Sequence, residues 1–210
     1  MSFDKIGTKK LERRTMMKIA LGGSASNPAH YGHKFLAEAV LKSGEFDRVR
    51  WIVSGERPDK PGMPAVLHRW QMTQLLGMDQ SIEIAYEKKQ AVPTIEVIRQ
   101  TQQEFPQAEI VWYCGSDHFL ARRQFAGACD VEAFWEEGEW LMNHQPFLIA
   151  VRKGVAQEKM RYPEKCLFLE STILEISSTR IRQNVRDKKE NQIFTAPAVL
   201  QYMEKNQLYL

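Results

Sequence analysis

Leu21-Gly22-Gly23-Ser24-Ala25-Ser26-Asn27-Pro28-Ala29-His30-Tyr31-Gly32-His33 follows a short apolar run, Met17 to Leu21, and precedes an amphipathic one, Lys34 to Lys42. Apolar run, Gly- and Ser-containing turn and amphipathic run read as strand, tight turn and helix. The turn carries two histidines three residues apart, and the second stands where the helix is expected to begin. N–H groups at a helix start lack intrahelical partners, and the macrodipole makes that end positive. Glycine beside them lets a ligand approach the backbone closely. Such a place favours phosphate, and two imidazoles add donors that are neutral or charged near pH 7. The structural alternative is an ordinary first turn of an α/β domain with solvated histidines. The feature that tells against it lies near the other end of the chain.

Outward from this turn, short β-like runs alternate with longer helical ones. The predicted strands are Lys18–Leu21, Arg50–Val53, Ile82–Ala85, Ile110–Cys114, Phe147–Val151 and Leu167–Leu169. Several are continuous apolar runs, as in strands covered on both faces. One predicted helix runs from His33 to about Ser43, with Phe35, Leu36, Ala39 and Val40 inward and Gly44 as its stop. A second runs from about Val66 to Leu76, with Leu67, Trp70 and Leu75 inward and Gly77 as its stop. A third begins at Thr94 as N-cap, buries Ile95, Ile98 and Phe105, and stops at Pro106. Further helices are expected after Asp117, around Trp135 to Leu141, over Ser178–Val185 and over Pro197–Asn206. This alternation predicts an α/β fold with a parallel sheet and right-handed crossovers. Ligands of such sheets bind beyond the carboxyl ends of the strands. The turn after Leu21, the Gly115-Ser116-Asp117 turn and the segment after Leu169 all belong there.

A chain of 210 residues suffices for one α/β domain with a sizeable core. The reading is a single domain over 16–210, preceded by a polar, basic extension at 1–15 without the apolar segment of a secretory signal. With 29 basic and 26 acidic residues, the net charge of +3 is too mild to argue for nucleic acid or an acidic membrane surface. No apolar run reaches the length of a membrane span. Cys114, Cys129 and Cys166 are odd in number and widely spaced, without a CxxC pair, which points to a reducing, cytoplasmic setting and no structural zinc.

Glu175-Ile176-Ser177-Ser178-Thr179-Arg180-Ile181-Arg182 is the second constellation. One Ser or Thr is an ordinary helix N-cap. Three in a row followed by Arg182 are more than a cap needs, and supply the hydroxyls, N–H groups and fixed cation that grip a polyphosphate. Asp117, at a strand-end turn, suits either a helix cap or a ribose hydroxyl. Lys60, in the long turn Gly55 to Gly62, is within reach of a phosphate or is a solvated surface lysine.

The two end segments together resemble the nucleotidylyltransferase superfamily, marked by a [HT]xGH turn after the first strand and an ISSTxxR segment near the C-terminus. Within it the chain resembles the bacterial nicotinate/nicotinamide mononucleotide adenylyltransferases over about Met17 to the end. The matching pieces, in order, are Gly23 to His33, Lys60, His68-Arg69, Thr94-Ile95-Glu96, Gly115-Ser116-Asp117, Trp135, the strand ending at Arg152, Ile176 to Arg182 and Ala198 to Tyr209. Ser26 stands where the family usually has an aromatic residue, Asn27 where it often has aspartate, and Pro93 where an aromatic residue is usual. The resemblance implies a Rossmann-like, doubly wound parallel sheet with helices on both faces. It also implies transfer of AMP from ATP to nicotinate or nicotinamide mononucleotide, with release of pyrophosphate, in NAD biosynthesis.

On that resemblance His30, His33 and Arg182 would be catalytic. Gly23, Ser24, Asp117, Ser177, Ser178 and Thr179 would join them in binding ATP, and Lys60, Thr94 and Trp135 would hold the mononucleotide. Mg²⁺ would ride on the ATP phosphates, with no protein metal site, and the partners would be these small molecules alone. Other enzymes on the same plan, of pantetheine-phosphate adenylyltransferase or cytidylyltransferase type, and a non-catalytic nucleotide sensor are the alternatives. A dinucleotide oxidoreductase is disfavoured, since neither GxGxxG nor GxxxxGK[ST] is present.

Overall fold

Apolar continuity decides which strands lie at the centre of the sheet. In the computed structural model, which describes residues 16–58, 60–151, 159–169 and 176–210, the strands are β1 (Lys18–Ser24), β2 (Arg48–Val53), β3 (Ile82–Tyr86), β4 (Glu109–Gly115), β5 (Phe147–Ala150) and β6 (Cys166–Leu169). They form one parallel sheet in the order β3-β2-β1-β4-β5-β6. The interior strands β4 and β5 are buried almost throughout, whereas β3 and β6 at the edges are only partly covered. Numbering runs outward in both directions from the β1/β4 boundary, the switch point of a doubly wound Rossmann-like fold. There Lys18 pairs with Glu109 and Leu21 with Trp112, while Trp112 in turn pairs with Phe147.

Among the described residues there are seven α-helices: α1 (Tyr31–Lys42), α2 (Val66–Gln74), α3 (Thr94–Glu104), α4 (Asp130–Phe134), α5 (Gly138–His144), α6 (Ser178–Arg186) and α7 (Pro197–Lys205). Gly44 and Gly77, just beyond α1 and α2, have φ of +68° and +63°, so the expected glycine stops are where left-handed backbone is needed.

The chain forms two compact units. The first takes the described residues of 1–22, 39–49 and 93–173. Its core includes Tyr113, Phe119, Leu141, Phe147, Leu148 and Ile149, and the buried Gln145 amide donates to the Ile110 carbonyl at 2.8 Å. The second takes 23–38, 50–92 and the described residues of 174–210, and buries Trp51, Val53, Met72, Ile181 and Val199.

Several helix faces differ from expectation. Leu67 is 57% exposed, because the buried stripe of α2 is Val66, Arg69, Met72 and Thr73, and Leu67 is turned away from it. Phe35 is likewise exposed and stacks on Tyr31 along the helix surface, with ring centroids 5.7 Å apart. Thr94 is the first residue of α3 and not its cap: Pro93 occupies the cap position, with no side-chain cap bond. Phe105 is only half-buried. The helix expected around Trp135 to Leu141 is two short helices, with Trp135 closing α4. In place of the helix expected after Asp117, the chain makes a 3₁₀ turn over Ser116–Phe119 and another over Arg123–Phe125. Arg152, Glu175 and the 1–15 extension lie outside the described residues.

Candidate functional site

The turn after β1 is held by its own side chains. Ser24 Oγ accepts the Ser26 N–H at 3.0 Å and lies 3.2 Å from Ser26 Oγ. Ser26 is buried with φ of +47°, a left-handed conformation uncommon outside glycine, so the bonds to Ser24 fix an otherwise unfavourable bend. A Cβ on Gly23 would run into the Ile52 carbonyl, so strand packing alone requires glycine there.

α1 begins at Tyr31, two residues before the expected start, so His33 lies in its opening turn and His30 immediately precedes it. Their rings stack at 3.7 Å between centroids, 20° from parallel. A Cβ on Gly32 would sit 3.0 Å from the His30 ring atoms Cε1 and Nδ1, which explains the glycine between them. The His30 N–H donates to His33 Nδ1 at 3.2 Å. An Nδ1 that accepts carries no proton, so neutral His33 bears it on Nε2, 3.2 Å from Ser24 Oγ. His30 is buried beneath, 7% exposed. One N–H of this helix start is already used: Tyr31 donates to the Phe194 carbonyl at 2.9 Å.

The late segment meets this turn. Ser177 is the N-cap residue of α6, yet its side chain makes no cap bond. Ser178 Oγ instead donates to the Pro28 carbonyl at 2.9 Å, and Arg182 Nη1 donates to the Asn27 carbonyl at 2.6 Å. Arg182 Nη2 also reaches Thr179 Oγ1 at 3.1 Å. Arg180 points elsewhere, over the Phe194 ring at 4.7 Å. Residues 150 and 155 positions apart are thereby joined. A cavity of about 870 Å³ opens here, lined among others by Ser24, His33, Lys60, Ser178, Thr179, Arg182, Arg186 and Tyr209. Beside the Asn27 and Gln207 amides, its polar wall carries imidazole, hydroxyl, ammonium and guanidinium groups, a donor set for a polyanion.

A family model described as cytidylyltransferase-like matches residues 21–184, from the end of the apolar run of β1 into α6. The chain belongs to the cytidylyltransferase-like family. It is accordingly a nucleotidyltransferase. A Synechococcus sp. (strain JA-2-3B'a(2-13)) protein named probable nicotinate-nucleotide adenylyltransferase is 28% identical, over 92% of this chain and 97% of that one. A Thermus thermophilus protein of the same name is also 28% identical, over 92% and 100%. In fold, the chain is similar to the Plasmodium falciparum nicotinic acid mononucleotide adenylyltransferase complexed with NaAD. The TM-score is 0.74 at 19% identity, covering 92% of this chain and 97% of that one.

The His30/His33 turn and the Ser177 to Arg182 segment both sit in the second compact unit, and six of the predicted residues line one cavity: Ser24, His33, Lys60, Ser178, Thr179 and Arg182. Gly23, His30 and Ser177 belong to the same two segments without lining it. Asp117, Thr94 and Trp135 lie in the first unit. There Trp135 packs edge-on against His118 at 5.4 Å and against Trp112 at 6.2 Å. Burial, with a smaller contribution from the Asp117 charge in the 3₁₀ turn, pushes the Cys114 thiol well up. Among the described residues no group of three His, Cys, Asp or Glu side chains could hold a metal ion. No described helix is long and apolar enough to cross a membrane. The three cysteines are free thiols.

Three contributors were given no role from sequence, although Arg69 and Tyr209 lie in pieces that carry the resemblance. Arg186 lines the cavity one turn beyond Arg182, a four-residue spacing that is visible in the sequence. Tyr209 has no sequence signal for such a role. Arg69 is fully buried, and its guanidinium donates to the carbonyls of Ala25 at 2.7 Å, Ser54 at 2.6 Å, Gly55 at 2.9 Å and, through Nε, Pro64 at 2.9 Å. Burial lowers its pKa, opposed by Tyr209 in its ionised form and by the charges of Glu56 and Glu87. An arginine on the buried stripe of α2 is the anomaly that marks it.

Proposed function

We propose that this family member transfers AMP from ATP to nicotinate mononucleotide or its amide, forming the dinucleotide and pyrophosphate. The supporting observation is the meeting of the His30/His33 turn with Ser178 and Arg182 at one cavity of donors. An oxygen of the mononucleotide 5′-phosphate attacks the α-phosphorus of ATP. The bond from that phosphorus to the bridging oxygen breaks, and its electron pair leaves with pyrophosphate. The attacking group is already an anion, so catalysis reduces to positioning and to stabilising the charge that moves onto the leaving group.

In this reading the Nε2–H of His33 turns from Ser24 to the ATP phosphates, with His30 packed beneath as its support. Ser177, Ser178, Thr179 and Arg182 hold the β- and γ-phosphates, Gly23 and Ser24 offer backbone N–H groups, and Asp117 takes a ribose hydroxyl. Thr94 and Trp135 hold the mononucleotide, and Lys60 its phosphate. Hydroxyl, imidazole and guanidinium walls do not make a Mg²⁺ cage, and the fitting place for that ion is on the substrate's own phosphate oxygens.

Pyrophosphate release from ATP is the test, with nicotinate mononucleotide, the amide and no acceptor in parallel. Release that depends on one of the mononucleotides is the expected result. No release with either, alongside turnover of CTP or of pantetheine phosphate, overturns the substrate assignment.

A further inference from the structure

Tyr209 lines the cavity together with Arg182, Ser178 and His33, and its hydroxyl oxygen is buried without a hydrogen-bond partner among the described residues. The charged groups that act on it are Arg182 and Arg69, both of which lower its pKa, while burial raises it further than they lower it. The phenol is therefore protonated at neutral pH. Guanidinium groups only donate, so neither can take the phenolic proton. No acceptor among the described residues lies within hydrogen-bond distance of it, and buried polar groups are ordinarily paired. The backbone places the side chain. Gln207 and Tyr209 have φ of +51° and +68°, left-handed at two non-glycine positions within three residues. Hydrogen bonds from the Gln207 N–H to the Glu204 carbonyl at 3.1 Å and from the Leu208 N–H to the Met203 carbonyl at 2.9 Å hold the segment there. At Gln207 this is the Schellman motif that closes α7, with the left-handed residue just past the cap, and it sets Tyr209 against the cavity.

We propose that Tyr209 is a triphosphate-binding residue, whose hydroxyl donates a hydrogen bond to a β- or γ-phosphate oxygen beside Arg182. This rests on the reading of the cavity as the ATP site. The ligand supplies the missing acceptor, and the two guanidinium groups draw the anion to it. The hydroxyl thus stabilises the bound state and does nothing for the empty one.

Tyr209→Phe keeps the ring and removes only the oxygen. Calorimetric titration of full-length wild type and variant with ATP, inorganic tripolyphosphate and AMP separates the possibilities. The expected result is about 10- to 100-fold weaker binding of ATP and tripolyphosphate, the loss of one hydrogen bond to a charged group, with AMP unaffected. The ligand-free melting temperature should stay level or rise, since an unpaired buried hydroxyl is removed. Equal ATP affinity in both proteins overturns the role of Tyr209 and leaves the proposed function standing. A fall in ATP affinity together with a lowered ligand-free melting temperature assigns the hydroxyl to the fold and also overturns it. A wild type that binds neither ATP nor tripolyphosphate overturns the proposed function and this inference together.

Discussion

His33 is worth following atom by atom. Its Nδ1 is occupied by the His30 N–H at 3.2 Å, so its proton sits on Nε2, on the side of Ser24 and the cavity. The ring is oriented before any ligand arrives, and preorganised donors of this kind supply much of the rate in charge-transfer chemistry. Replacing His33 with Ala removes that donor and leaves the buried His30 in place. Turnover is expected to fall on the order of 100- to 1,000-fold, with the melting temperature close to that of the wild type. Near-full kcat in the variant would remove His33 from the reaction. At this scale the sequence was informative where chemistry is local. The two histidines three residues apart in the turn were legible, whereas their stacking and the room that Gly32 leaves for it were not. The hydroxyl run of α6 was legible as a group but not residue by residue. Ser177 is the cap residue and does not cap, while Ser178 reaches the Pro28 carbonyl 150 positions earlier. That partner is set by tertiary packing, which no local pattern encodes.

Elements turn on a similar distinction. The strand runs were legible because continuous burial on both faces demands unbroken apolar sequence, and every predicted strand is found with its ends shifted by a residue or a few. Helices were less so where the decisive contact is not periodic. α4 and α5 are separate because Glu137, with φ of +52°, turns the chain and a Cβ on Gly138 would run into the Val131 carbonyl. That close approach between residues seven positions apart reads in sequence as one amphipathic stretch. α2 is a sharper case. Its buried stripe carries Arg69, whose four bonds gather the Ala25, Ser54, Gly55 and Pro64 carbonyls around one guanidinium. Glu87 Oε2 steadies the same region by accepting the Gly55 N–H at 2.6 Å and the Val92 N–H at 3.1 Å. Arg69→Met keeps much of the volume but leaves four carbonyls without their donor. The expected cost is at least about 3 kcal/mol. For a chain of this size that is roughly 6–12 °C in melting temperature. A variant melting within about 2 °C of the wild type would show that water or neighbouring groups replace the guanidinium without loss.

Across the whole molecule, the second compact unit is assembled from three separated stretches of chain, 23–38, 50–92 and the described part of 174–210. Such a unit depends on long-range bonds, and these are specific: Ser178 to Pro28, Arg182 to Asn27 and Thr195 Oγ1 to the Ala29 carbonyl at 2.9 Å. All three end on carbonyls of the turn after β1. A parallel sheet was legible from the strand–helix alternation and its doubly wound order from the resemblance, but these stitches were not, because they involve backbone acceptors that every sequence possesses. A ligand held at once by His33 on the early stretch and by Ser178 and Arg182 on the late one would add to the same set of links. Binding to the folded chain alone stabilises it by mass action, about 2.7 kcal/mol at a ligand concentration 100 times the dissociation constant. For this size that corresponds to roughly 5–11 °C in melting temperature. Arg182→Ala removes both a phosphate donor and the bond to Asn27, so it should lower the ligand-free melting temperature slightly and abolish most of the ATP-induced rise. Thermal unfolding with and without ATP checks both effects. If the variant keeps the full rise, the late stretch takes no part in holding the nucleotide, and the two motifs meet for structural reasons alone.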